Sequence, residues 1–226
     1  MMSSFLADHR EELIQRCAGK VAMRPKRLAT DLQLKNGIPL FLAQLQRTLE
    51  AEEKHRPTES LRISGGPGGN AAAISEMGVS ASVHGKQLLG LGFSVDQVVH
   101  DYGDLCQAIT DLAFELDAPF AVQEFRTLNR CLDNGIASAV TAFSSQRDVS
   151  LAQEKQAEAS ERLETVFHSL RSSLATATYA IAALELGNLP MSGSTGSILK
   201  RSLATMRAQV GGPSLEELQE EGDEVG

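Results

Sequence analysis

This chain contains no tryptophan, only two tyrosines and 4% aromatic residues in all. Its core must therefore be built from Leu, Val, Ile, Met, Ala and a few Phe. No apolar run approaches the roughly 18 residues that a membrane-crossing helix needs, and the opening Met-Met-Ser-Ser-Phe has no signal-peptide core. The expectation is a cytoplasmic protein without a membrane partner. Positive charge is also short: 21 Lys and Arg stand against 29 Asp and Glu, a net charge of −8. That excludes nucleic acid as a partner, because phosphate contacts need a basic surface. Cysteine is scarce. Cys17, Cys106 and Cys131 are odd in number and widely spaced, which reads as reduced core thiols rather than disulfides or metal ligands. No metal and no cofactor are expected. Period-two alternation is missing as well, while Ala, Leu, Glu and Gln dominate, so the fold class is all-α.

What is present is a series of helical patterns. The first carries Phe5, Leu6, Leu13, Ile14, Cys17 and Val21, with Ser3 or Ser4 as its cap, and ends before Pro25. Gly37-Ile38-Pro39 opens a second, with Leu40, Leu42, Leu45 and Leu49 on one face. Residues 55–69, rich in Pro, Ser and Gly, read as a loop. A third helix is expected over 70–89, with Ile74, Met77, Val83 and Leu88 on its inner face, broken by Gly90-Leu91-Gly92. Ser94 is an N-cap for a fourth, whose core face holds Val95, Val98, Val99, Tyr102, Leu105, Cys106, Ile109, Leu112 and Ala113. A fifth starts near Ala121, holds Phe125, Leu128, Leu132, Ile136, Val140 and Phe143, and meets no Pro or tight turn until about Leu186.

The far half of that fifth helix has the most informative pattern. Leu163, Phe167, Leu170, Leu174, Ala177, Ile181 and Leu184 follow one another in steps of four and three, the 3.5-residue period of a coiled coil or left-handed bundle. His168 projects roughly 120° from the centre of that seam. Glu164 and Ser172 lie one turn either side of it on the same face. Leu186-Gly187-Asn188-Leu189-Pro190 then stops the helix. Ser194 or Ser197 caps a return helix with Leu199, Leu203, Met206 and Val210 in phase. Two heptad helices joined by a short loop form an αα-hairpin, and two such hairpins close a dimeric four-helix bundle. The final residues, 211–226, are acidic and nearly devoid of apolar side chains, and are expected to be disordered.

On these residues the segment from about Glu154 to Val210 resembles the dimerisation and phosphoacceptor hairpin of bacterial sensor histidine kinases. In His168-Ser169-Leu170-Arg171-Ser172-Ser173-Leu174 the positions of His168, Leu170, Arg171 and Leu174 match the family's acceptor box. Ser169 stands where the family carries an acidic residue, and Ser172 where Asn or Thr helps to position the γ-phosphate. The resemblance implies His168 as the phosphoacceptor, with Glu164, Arg171 and Ser172 beside it. It also implies a homodimer and a response regulator or partner kinase as the other partner. The ATP-binding module of that family has no counterpart here: Gly65-Gly66-Pro67-Gly68-Gly69 lacks the Lys-Ser/Thr of a phosphate loop, and Gly90-Leu91-Gly92 and Asp133-Asn134-Gly135 precede the histidine. The expectation is a truncated relative or a fragment of a longer kinase.

The N-terminal half carries a second resemblance. Leu88-Leu89-Gly90, Gly92-Phe93-Ser94-Val95-Asp96-Gln97-Val98-Val99-His100-Asp101-Tyr102-Gly103-Asp104-Leu105-Cys106 and Arg126-Thr127-Leu128-Asn129-Arg130-Cys131-Leu132-Asp133 are similar to the helical, globin-like sensory domain of RsbR-type stress regulators. That implies a sensory domain over 1–145, a phosphoacceptor hairpin over 146–210 and a tail over 211–226. His100, Asp101, Tyr102 and Asp104 cluster on one predicted helix, either as a packing network or as a ligand pocket. His84 and His100, on neighbouring predicted helices, are too few for a metal or haem site. Three readings stand. One is a two-component signalling protein with His168 phosphorylated in trans. The second is a non-catalytic dimeric regulator of partner kinases, which Ser169 favours. The third is a globin-like ligand or haem sensor on a coiled-coil stem.

Overall fold

The computed structural model describes residues 1–22, 37–69 and 74–211. Among them the fold is all-α. The helices are α1 (Met2–Asp8), α2 (Arg10–Ala22), α3 (Ile38–Glu53), α4 (Pro57–Ser64), α5 (Glu76–Gly90), α6 (Val95–Glu115), α7 (Val122–Gly187) and α8 (Ser194–Val210), with a 3-10 turn at Pro67–Gly69. Packing divides the chain into two compact units, Met1–Ser150 and Leu151–Gly226. None of the described helices is long and apolar enough to cross a membrane. The expected acidic tail lies, from residue 212 onward, outside the described residues.

In the first unit α3 packs against α1, α2, α4 and α5, and α2 packs against α6. Its Phe41, Leu42, Leu45 and Leu49 are buried among Leu6, Leu13, Met77, Leu105, Ile109, Leu112 and Leu128. Each such fully buried side chain is worth about 2 kcal/mol relative to water. Phe41 meets Tyr102 edge-on with ring centroids 5.7 Å apart. The α6 cap is a full capping box: Ser94 Oγ accepts from Gln97 N at 3.2 Å, and Gln97 Oε1 accepts from Ser94 N at 2.9 Å. Glu124 ties the start of the long helix to α1, accepting from Met2 N at 2.5 Å and Ala121 N at 2.8 Å.

The structure differs from the sequence expectation in several places. The first helix is two, broken at His9. Ser3 and Ser4 do not cap it; Ser3 Oγ donates to Glu53 at 2.5 Å and Ser4 Oγ to the Met1 carbonyl at 2.9 Å. The expected loop 55–69 contains α4, started by Pro57 in its first turn, where the missing N–H costs nothing. Its Ser60, Ile63 and Ser64 are buried, so tertiary burial made a helix of a segment whose composition reads as a loop. Of the helix expected over 70–89, residues 70–73 lie outside the described residues; α5 begins at Glu76, where Ser75 Oγ caps it by accepting from Gly78 N at 3.0 Å. Ile74 and Val83 are exposed, as are Val99 on α6 and Leu40 on α3, which does not share the buried face of Leu42, Leu45 and Leu49, while Met77 and Leu88 take the inner positions of α5. The cap of α8 is Gly193, without a side-chain bond.

In the second unit α8 runs back along α7. Ala177, Ala180 and Leu199 form a small buried cluster joined by Leu184 and Met206. Leu189 N reaches back to the Leu184 carbonyl at 3.2 Å, and Asn188 takes φ 46°, the left-handed conformation that ends helices. Gly196 makes the turn possible: a Cβ there would lie 2.0 Å from the Met191 carbonyl oxygen.

Candidate functional site

Position on α7 decides what His168 can do. Nine residues at 100° each put it about 180° from Ala177, on the side of the helix opposite α8. It is exposed, and so are Glu164, Arg171 and Ser172. Spacing brings Glu164, His168 and Ser172 onto one face, yet their side chains make no hydrogen bond with one another among the described residues. The Ser172 carbonyl accepts from Thr176 Oγ1 at 3.0 Å. Ser169 is turned away from the histidine. It is half-buried and its Oγ accepts from Gln209 Nε2 of α8 at 2.5 Å. Two polar atoms of α8 at this level, Arg207 NH1 and Gln209 Oε1, are buried without a hydrogen-bond partner.

The apolar stripe of α7 has two edges with different fates. The edge through Ala177, Ala180 and Leu184 is covered by α8. The edge through Leu163, Phe167, Leu174 and Ile181 is exposed, with Phe167 64% accessible and Leu174 58%. The sequence read these as one seam. The structure shows α8 seated on one flank of it, with the larger side chains left on the other. On α8, Leu203 and Val210 are exposed as well.

The second candidate cluster is spread over three environments, because positions 100, 101, 102 and 104 fan around a helix. His100 points outward and pairs with Asp96, Nε2 to Oδ1 3.4 Å. Asp101 and Tyr102 line a small cavity of about 20 Å³ with Gly37, Ile38, Phe41, His84 and Leu105, room for about one water molecule. Burial, then the nearby Asp101, pushes the Tyr102 hydroxyl well above its ordinary value. Asp104 is buried and faces Cys17: burial first, then Asp104, pushes that thiol up to about 12. Among the described residues no three His, Cys, Asp or Glu side chains converge as a metal site would require.

A polar centre that the sequence reading passed over joins α3, α4 and α7. Glu52 pairs with Arg130, NH2 to Oε1 2.6 Å. Thr127 Oγ1 also donates to Glu52, and Ser60 Oγ does so at 2.8 Å. Arg130 NH2 further donates to Ser60 Oγ at 3.0 Å and Ser64 Oγ at 3.3 Å. Asn134 Nδ2 donates to the Ser64 and Gly66 carbonyls at 2.8 and 3.0 Å, so the glycine-rich stretch is pinned to α7. Burial pushes the Glu52 carboxyl up, but the hydrogen bonds from Thr127, Arg130 and Ser60 outweigh it and hold the group below its ordinary 4.5. Its sequence signal was an arginine set between the core residues Leu128, Cys131 and Leu132.

The chain matches no protein-family model, no curated protein and no solved structure.

Proposed function

We propose that this protein is a two-component signalling protein, in which a helical sensory unit is joined by α7 to a dimerising phosphoacceptor hairpin. His168 takes a phosphoryl group from a kinase module outside these 226 residues and passes it to an aspartate of a response regulator. The observation that carries this reading is the two-edged stripe. One edge of α7 is covered by α8, and the other offers Leu163, Phe167, Leu174 and Ile181 to a second copy. Two hairpins meeting there form a four-helix bundle, and His168, roughly 100–140° round the helix from that edge, stays accessible within it. An exposed imidazole is the form a phosphoryl donor must reach. The continuity of α7 from Val122 to Gly187 supports a mechanical link between sensing and output.

The decisive experiment is detection of acid-labile phosphohistidine on the protein from its native cells, with His168→Gln as the control. Phosphate present in the wild type and absent from the variant is the expected result. No phosphate under any growth condition overturns the phosphorelay reading.

One observation favours a second reading, a non-catalytic dimeric regulator of partner kinases. Ser169 provides no acid beside His168, and its hydroxyl is already engaged by Gln209. In that case the hairpin dimerises, or mixes with a kinase's own hairpin, while His168 stays unmodified.

A further inference from the structure

Along the first turns of α7, Arg126, Asn129, Arg130 and Asp133 recur at spacings that place them on one helix face. That face and the Pro67-Gly68 turn line an open groove of about 310 Å³. Arg130 also borders a neighbouring groove of about 600 Å³ that contains His55 and Arg56. The first volume is in the range of small-molecule sites, about 300–1,000 Å³.

The ion pairing around the groove is uneven. Arg56 pairs with Glu59 at 3.4 Å and Arg130 with Glu52 at 2.6 Å. Arg126 is exposed, and its guanidinium meets only the neutral Gln123 Oε1, at 3.2 Å. Among the described residues it has no carboxylate within ion-pair distance. Arg130 Nε is buried and has no hydrogen-bond partner. At the other end of the groove Asp133 is exposed and has no cationic partner among the described residues. Arg126 and Asp133 are seven residues apart, about 10 Å along the helix axis. The groove therefore presents an uncommitted cation at one end and an uncommitted anion at the other, with the Arg130 guanidinium, engaged by Glu52, between them.

We propose that this groove binds a small organic acid that also carries a hydrogen-bond donor, of the amino-acid or hydroxy-acid class. The acid's carboxylate lies on Arg126, in the paired geometry a guanidinium offers, with Arg130 behind it. The ammonium or hydroxyl group lies on Asp133, and Asn129 between them supplies both donor and acceptor. Asp133 sets the class, since a plain polyanion gains on Arg126 what it loses against Asp133. The site lies wholly within the first unit and does not depend on the reading of His168.

The test is isothermal titration of the full chain with the L-amino acids and malate, alongside succinate and inorganic phosphate at equal ionic strength. The expected result is saturable binding of an amino or hydroxy acid. Arg126→Gln should weaken it about tenfold or more, and Asp133→Asn should weaken it too. Both side chains are exposed, so each variant should melt like the wild type, which circular dichroism checks. If succinate or phosphate binds as tightly and Asp133→Asn tightens the complex, the assignment to donor-bearing acids is overturned. If no compound saturates, or Arg126→Gln changes nothing, the site itself is overturned.

Discussion

Gly85 of α5 lies against the backbone of Ala139 on α7, so closely that a Cβ at position 85 would stand 2.2 Å from the Ala139 carbonyl oxygen. No rotamer change relieves that contact, because the obstacle is main chain. Gly85→Ala should therefore part the two helices and lower stability by about 2–3 kcal/mol, read as a lower midpoint in urea. Gly90→Ala is the control. Nothing lies within 4 Å of a Cβ there, so the change should be neutral or stabilise by up to about 1 kcal/mol. Equal effects of the two substitutions would contradict the packing described.

The Glu52–Arg130 pair should show in the response to acid. The folded-state Glu52 carboxyl titrates below its ordinary 4.5, so its contribution is present above the unfolded value and is lost as pH falls through the lower folded one. Stability measured from pH 6 down to pH 3 should fall, and Glu52→Gln should flatten that fall. Arg130→Met should cost about 1–3 kcal/mol at neutral pH, because it leaves a half-buried carboxylate without its cation. An Arg130→Met variant as stable as the wild type would show that the pair does not hold α3 to α7.

The uncovered edge of α7 is the place to test self-association. Leu174→Glu, or Phe167→Lys, places a charge among Leu163, Phe167, Leu174 and Ile181 and should convert a dimer to a monomer in sedimentation velocity. His168→Gln, roughly 100–140° round the helix from that edge, should leave the dimer intact. Since Phe167 and Leu174 are exposed in the single chain, neither variant should unfold it. A wild-type monomer at high micromolar concentration would remove the bundle from the proposal.

Restoring an acid beside the histidine should raise its phosphate acceptance. Ser169→Glu keeps an acceptor for Gln209 Nε2 and adds a carboxylate next to His168, where it favours the imidazolium and can take up a ring proton. With a histidine kinase as donor, phosphohistidine at position 168 should form several-fold faster in the variant. An unchanged rate would show that the neighbouring residue does not govern this site.

Much of this molecule follows from local sequence. The 3.6-residue recurrence of Leu and Val, with few residues that favour strands, makes the described chain helical outside its turns. Ser94 followed by Gln97 fixes the start of α6, and Gly187-Asn188 followed by Pro190 fixes the end of α7. These are nearest-neighbour effects: a cap or a left-handed residue acts within one turn, so its signal is written in adjacent letters. The exposure of His168 follows in the same way, from its angle to the apolar stripe.

Other features were decided only in three dimensions. Helix α4 exists because Ser60, Ile63 and Ser64 are buried and Arg130 and Asn134 satisfy its polar groups, partners some 70 residues away. Gly85 is required by the Ala139 backbone, which approaches from another segment. Which flank of the α7 stripe α8 would cover depended on the turn at residues 188–193 and on small side chains at Ala177 and Ala180 that admit a close neighbour. His100, Asp101, Tyr102 and Asp104, adjacent in sequence, diverge because a helix turns 100° per residue. Periodicity tells a helix which faces are apolar, but it does not say which element arrives to cover each one. That is settled by the summed packing of the whole chain.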